Sequence, residues 1–367
     1  MPSQVTIPLS PHFTNLRGQG DRISSAAVAE KLVVADGEGY FVDDLGGHSW
    51  SFVPAPGAAV YGLTSRFKPS PIDHMANGVF LRVPFRRVPV LEAHSLEGLL
   101  AFASLIHSKD DSLKLMWRGQ TREYLLTRPE EDSMRLYGEP QVSEPSLPSS
   151  GARLKVEFTT VFEQWSAILD TYIAEQILKK SLAGTRQRQD IVQGSQQFHS
   201  SYMYRLWAFA TAQHYGLPSV GLDVTSDILV ALLFALHRFS VDKATGTTTI
   251  ARLDKDAEPV LYAMSAFEND LFDDSQLAPP WLLCERPKAQ NAFFLATGWG
   301  QAPNRAAERI FVAIRLRNHT QWKLPSPVES LFPRRNKDSF LDFLLRSRVA
   351  YPSIASAAML DRVYYRA

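Results

Sequence analysis

A single cysteine among 367 residues, Cys284, removes any disulfide framework and any cysteine cage for zinc, and it fits a reducing compartment. That thiol reads as a small core residue rather than a nucleophile. Charge of either sign is not in excess: 39 Lys and Arg against 38 Asp and Glu leave a net charge of +1. The overall balance therefore calls for neither nucleic acid nor an anionic membrane as a partner. Long apolar runs are also missing, since the longest, around Ile228 to Leu236, is about half of what a bilayer-spanning helix needs. The start, Met-Pro-Ser-Gln-Val, has no basic residues followed by an apolar stretch, so no signal peptide, no membrane partner and a cytoplasmic location are expected. Several well-known chemistries lack their signatures as well. There is no Gly-Lys-Ser/Thr phosphate loop, no Gly-x-Gly-x-x-Gly, no His-Glu-x-x-His and no Gly-x-Ser-x-Gly, and the nine histidines are scattered singly. A metal is not expected.

What is present reads as more than one unit, because 367 residues exceed one small core. Residues 1–88 are read as a small β-rich module, with strands over Lys31–Asp36, Tyr40–Val42, Trp50–Val53 and Val79–Val83 separated by glycines and prolines. A change follows at Pro89. Ser95 is placed to cap a helix carrying Leu96, Leu99, Leu100, Phe102, Leu105 and Ile106 at helical spacing. The strand Leu113–Trp117 then delivers Arg118-Gly119-Gln120. Residues 128–152 lack periodicity and are expected to form an exposed loop. A long helix is predicted from about Leu154 to Leu182, a polar solvated connector over Thr185–Gln197, and a closing helix from Ser339. Residues 89–350 are assigned to one domain and 351–367 to a C-terminal tail. Strands and helices mix without regular alternation or repeat, which predicts an α+β fold rather than a doubly wound sheet.

The stretch from Trp207 to His237 organises the second unit. An apolar helix stops at Gly216, a turn follows Pro218, a short strand reaches Asp223, and an apolar helix starts near Thr225. Gln213, His214, Asp223 and Thr225 stand at the joints. Each has a structural reading: Thr225 or Ser226 as a helix cap with Asp227 favouring the helix N-terminus, and His214 satisfying helix carbonyls. Asp223 needs a partner if buried, for which Arg118 and Arg286 are the candidates.

Three blocks together resemble the FRG domain, a family named for a Phe/Tyr-Arg-Gly motif and found mainly in bacteria and their phages. They are Trp117-Arg118-Gly119-Gln120, then Gln213-His214-Tyr215-Gly216-Leu217-Pro218 with Leu222-Asp223-x-Thr225, then Arg286 to Phe293. The resemblance spans roughly residues 95–345. The sequence departs from the family pattern at Val220 and Val224, where an arginine and a tryptophan are usual, and Gln290-Asn291-Ala292-Phe293-Phe294 matches the late Gln-x-Gly-x-Phe only in part.

A weaker similarity to mono-ADP-ribosyltransferases lies in Arg118-Gly119 and in Thr225-Ser226 followed by Val230-Ala231-x-x-Phe234-Ala235. This implies an ADP-ribosyltransferase-like core with NAD, a small-molecule nucleotide, as substrate. Arg118, Thr225, Ser226 and Gln290 would be the catalytic set, and Gly119, Gln120, Gln213, His214, Tyr215, Asp223 and Arg286 the ligand-binding set. Arg118 would hold a phosphate or ribose bidentately, and Gly119 would let the dinucleotide approach the backbone. The late glutamate of that family has no match near Gln290, which leaves Glu308 or another acid for the role. Whether the protein is an enzyme stays open between mono-ADP-ribosyl transfer or NAD cleavage, including toxin activity, and a non-catalytic sensor or adaptor in a bacterial stress or phage-defence system. A third reading, nucleic-acid binding or cleavage, rests on Arg186, Arg188, Arg334 and Arg335. The acceptor, protein or nucleic acid, is not specified by the sequence.

Overall fold

The computed structural model describes three strands between residues 32 and 62, residues 72 and 75, and residues 78–363 apart from gaps at 84–85, 110–114, 131–132, 134–139, 155, 157, 182–184, 243–246, 266–270, 283 and 296–303. Strands β1 (Leu32–Ala35), β2 (Glu38–Asp43) and β3 (Ala59–Gly62) form an antiparallel sheet of their own. The strand expected over Trp50–Val53 lies outside the described residues.

The next elements in chain order are β4 (Phe80–Val83), β5 (Arg86–Ala93), α1 (Leu96–Lys109), β6 (Leu115–Gln120), β7 (Leu125–Thr127) and β8 (Ser143–Pro145). They are followed by helices α2 (Ser150–Leu154), α3 (Phe158–Ser181), α4 (Thr185–His199) and α5 (Tyr202–His214). Then come β9 (Leu222–Thr225), α6 (Ile228–Leu236), β10 (His237–Val241), β11 (Thr248–Arg252), β12 (Val260–Ser265) and β13 (Leu271–Asp273). The chain closes with α7 (Glu285–Ala289), β14 (Ala292–Leu295), β15 (Ile310–Leu316), α8 (Ser339–Ala350) and α9 (Pro352–Ala357). The fold is α+β, as the irregular order of elements predicted.

Eight strands make the main sheet in the order β13-β14-β9-β6-β12-β15-β5-β4, antiparallel throughout except for β15 beside β5. β12, with the sequence Val-Leu-Tyr-Ala-Met-Ser, is apolar on both faces because both faces are covered. On one face α1 and α6 bring Leu99, Ala103, Ala231 and Ala235 against Trp117, Leu261 and Val312. On the other, Met116, Tyr262 and Val224 meet Leu147, Ala306 and Ala307. A separate helical core gathers α3, α5, α8 and α9 around Trp165, Tyr172, Trp207, Phe209 and Phe340. Its aromatic rings pack edge to face, as Tyr172 does on Phe340 at 4.8 Å.

Four sequence readings change here. β4, read as part of the N-terminal module, pairs with β5 in the main sheet, so a boundary at residue 88 cuts a strand pair. Among the described residues of 128–152 several are buried rather than exposed: β8 pairs with β7, and Arg128 and Glu144 form a fully buried ion pair, with Asn304 Nδ2 also donating to Glu144. Their charges cancel inside, so polarity did not mean exposure. Thr185–His199 is a helix, because no glycine or proline within it up to Gly194 interrupts its backbone bonding. The expected tail from 351 is part of the helical core as far as Val363, burying Ala355, Ala358 and Leu360. Among the described residues no helix is long and apolar enough to cross a membrane.

Candidate ligand-binding cleft

The cleft forms where β6 and β9 part. These neighbours share one register pair, Trp117 with Thr225, and next along the Arg118 Nη1 donates to the Asp223 carbonyl at 2.5 Å in place of a further ladder bond. The opening is about 1090 Å³ and is walled by the end of β6, the last turn of α5, β9, α6 and the loop around residues 254–258. Arg118, Gly119, Gln120, Gln213, Asp223, Thr225 and Gln290, which are far apart in sequence, all line it.

Each is positioned by local chemistry. Gly216 has φ +88°, and the helix α5 ends with Leu217 N–H bonded to the Ala212 carbonyl and Gly216 N–H bonded to the Gln213 carbonyl. This left-handed stop turns the chain sharply, fixing Gln213 and His214 on the final turn and sending the chain towards β9. The Ser150 hydroxyl donates to Gln213 Oε1 at 2.8 Å and so locks that side chain. Asp227, not Thr225 or Ser226, caps α6, accepting from Leu229 N–H at 2.8 Å.

Arg118 and Gln120 give the cleft its unsatisfied polarity. Arg118 Nε and Gln120 Oε1 are both buried and have no hydrogen-bond partner among the described residues. Burial pulls the Arg118 pKa down to about 10, with Asp223 opposing the shift, so the group stays cationic near neutrality. A buried donor and a buried acceptor without partners, side by side in one strand, are costly unless something binds them.

Below the cleft is a fully buried imidazole between two carboxylates. His214 Nδ1 faces Asp223 Oδ1 at 3.3 Å, and its Nε2 is bonded to Asp274 Oδ2. Burial alone disfavours the charged ring, but Asp223 and Asp274 together outweigh it and raise the pKa to about 10. Burial raises Asp274 to about 6, against the pull of His214. The unit is thus a carboxylate–imidazolium–carboxylate row, with Asp223 the partly exposed end.

Two of the expected catalytic residues, Thr225 and Gln290, have side chains bonded within the protein. The Thr225 hydroxyl donates to the Gln290 carbonyl and accepts from Asp227 N–H, while the Gln290 amide donates to the Leu331 carbonyl at 3.0 Å. Both line the cleft, with the Thr225 hydroxyl and the Gln290 side-chain NH2 engaged in structure. Ser226 is exposed and, like His214, borders a different cavity. Tyr215 and Arg286 are fully buried outside the cleft: the guanidinium stacks 4.3 Å from the Tyr215 ring and donates to the His214 carbonyl, and the Tyr215 hydroxyl donates to Asp338. Asp338 in turn caps α8, so Tyr215 and Arg286 weld α5 to the helical core. Gly119 faces α6, where a Cβ would lie 2.7 Å from the Ala235 backbone nitrogen. Its smallness serves helix–strand packing rather than approach of a ligand.

Asp274 was missed, because nothing in its neighbours' spacing ties it to His214, 60 residues earlier. Arg122, stacked 4.6 Å from the Tyr124 ring at the cleft rim, was missed too. Arg334 and Arg335 line a separate groove with Lys337 and Arg348. The side chains of Arg186, Arg188 and Glu308 lie outside the described residues.

These features define an α+β protein whose divided sheet opens a polar cleft over a buried histidine. Compared with models of known families, residues 114–244, a stretch that includes β6 to β10, match the FRG domain. The match is narrower than the span of about 95–345 expected from the motifs, and Asp274, Arg286 and Gln290 fall beyond it. No curated protein and no solved structure matches the chain. Where the FRG pattern usually has arginine and tryptophan, Val220 and Val224 are buried in the core.

Proposed function

We propose that the FRG cleft binds a nucleotide of the NAD class. The observation that carries this reading is the pair of buried unpartnered atoms, Arg118 Nε and Gln120 Oε1. A phosphate or ribose oxygen satisfies the first, and a ribose hydroxyl or an amide N–H satisfies the second. A cleft of about 1090 Å³ has room for a dinucleotide. Calorimetric titration with NAD and with ADP-ribose tests this. Wild-type protein binds, and Arg118→Ala weakens binding by about tenfold or more, the size of a charge-assisted hydrogen bond. Absence of binding to both compounds overturns the reading.

Turnover is the second reading, and Asp223 is what favours it. Its partly exposed carboxylate, held by His214 beside Arg118, is placed to take the role that the late glutamate fills in the ADP-ribosyltransferase resemblance. In such a reaction the glycosidic bond breaks with its electron pair leaving on nicotinamide, and a carboxylate holding the 2′-hydroxyl stabilises the oxocarbenium-like sugar until water or an acceptor attacks. Nicotinamide release should then fall about a hundredfold in Asp223→Asn. If wild-type protein binds NAD but releases none, the cleft is a sensor or adaptor site.

A further inference from the structure

His214 joins two chambers. Asp223, on its Nδ1 side, lines the cleft, whereas Asp274, on its Nε2 side, lines a smaller cavity of about 370 Å³. In that cavity Asp274 Oδ2 is bonded to His214, but Oδ1 is buried and has no partner among the described residues. The Asp274 side chain is only 4% exposed. The walls are apolar, with Trp207, Ala278 and Phe293 among them, and Asn291 and Lys288 stand at the polar side. Lys288 is exposed, and no ion pair joins it to Asp274 among the described residues.

We propose that this cavity is a binding site for a primary amine carried on a compact apolar body, the ammonium docking on Asp274 Oδ1. A buried carboxylate oxygen without a partner demands a donor, and a charged ammonium makes a stronger hydrogen bond to it than a neutral hydroxyl. The volume sits at the small end of the range for ligand pockets, which selects a single ring or a short branched chain. Occupancy is communicated: a second donor on Asp274 weakens its hold on His214 and shifts the proton-sharing along the row towards Asp223. This site stands whether or not the cleft binds a nucleotide.

Benzylamine is the probe, with benzyl alcohol and benzoate as controls of the same body. Titration followed by NMR is expected to move the downfield imidazolium resonance of His214 with benzylamine at millimolar concentration, and to leave it unmoved with either control. Asp274→Asn is expected to weaken benzylamine binding about tenfold or more. Ala278→Phe, which fills the cavity without changing its charge, abolishes binding while thermal melting shows it folded. No benzylamine response in wild-type protein, equal binding of benzyl alcohol, or undiminished binding to folded Ala278→Phe overturns the proposal.

Discussion

Gly119→Ala is expected to lower the unfolding free energy by about 3 kcal/mol or more, at the upper end of what overpacking costs. The added methyl collides with the Ala231 carbonyl oxygen, comes within 2.7 Å of the Ala235 backbone nitrogen and meets the Ala235 Cβ at 2.9 Å. Two of these three are helix backbone atoms, which cannot turn away as the end of a flexible side chain can. Relief requires α6 to shift off β6, which opens the core formed by Trp117, Leu232 and Leu236. Arg118 is the preceding residue in the same strand, so ligand binding should decline with the fold rather than by itself. Urea denaturation followed by tryptophan fluorescence measures the loss. An undiminished midpoint combined with lost nucleotide binding would return Gly119 to the role of a ligand-contacting glycine.

His214→Ala is the second large effect, with an expected loss of about 3 to 5 kcal/mol. Removing the imidazolium leaves Asp223 and Asp274 facing each other across a cavity, and Asp274 is buried. The pH dependence has a definite sign. The folded protein holds the His214 proton more tightly than the ordinary value of 6.5, up to about 10, so its stabilisation is complete below about pH 6.5 and is lost as pH rises through about 10. Asp274 is also raised, from 3.8 to about 6, and its protonation favours the folded state in the same direction, over the window between those values. Wild-type stability should therefore decline from near-neutral pH towards pH 10, by about 3 to 5 kcal/mol for a shift of that size. His214→Ala should show a flatter curve there. Equal slopes for the two proteins between pH 7 and 10 would rule out the imidazolium row.

Much of the local architecture was legible. Gly216 stops α5 because only a residue free of a Cβ adopts φ +88° without strain, and the run Ile228–Leu236 is apolar enough to read as a buried helix. Arg118, Asp223, Thr225 and Gln290 were expected to converge, and they line one cleft. Their roles were less legible. Sequence identifies a hydroxyl or an amide but not which carbonyl it will meet: the Thr225 hydroxyl holds β9 to the segment before β14, and the Gln290 amide holds that segment to Leu331. Burial was misjudged over residues 128–152 for a related reason: a polar segment is buried when distant groups such as Asn304 satisfy it.

The chain alone determined the mixture of elements, the FRG motifs and the end of the α5 helix, because these depend on steric limits and periodicity within a few residues. Only the tertiary structure decided that His214 lies between Asp223 and Asp274, that Arg286 and Tyr215 serve the core, and that Arg118 and Gln120 keep unpartnered atoms at a cleft. Those are matters of charge and hydrogen bonding between residues tens of positions apart. Such interactions act through space, with strengths set by burial, and burial exists only once the sheet and helices have closed around them.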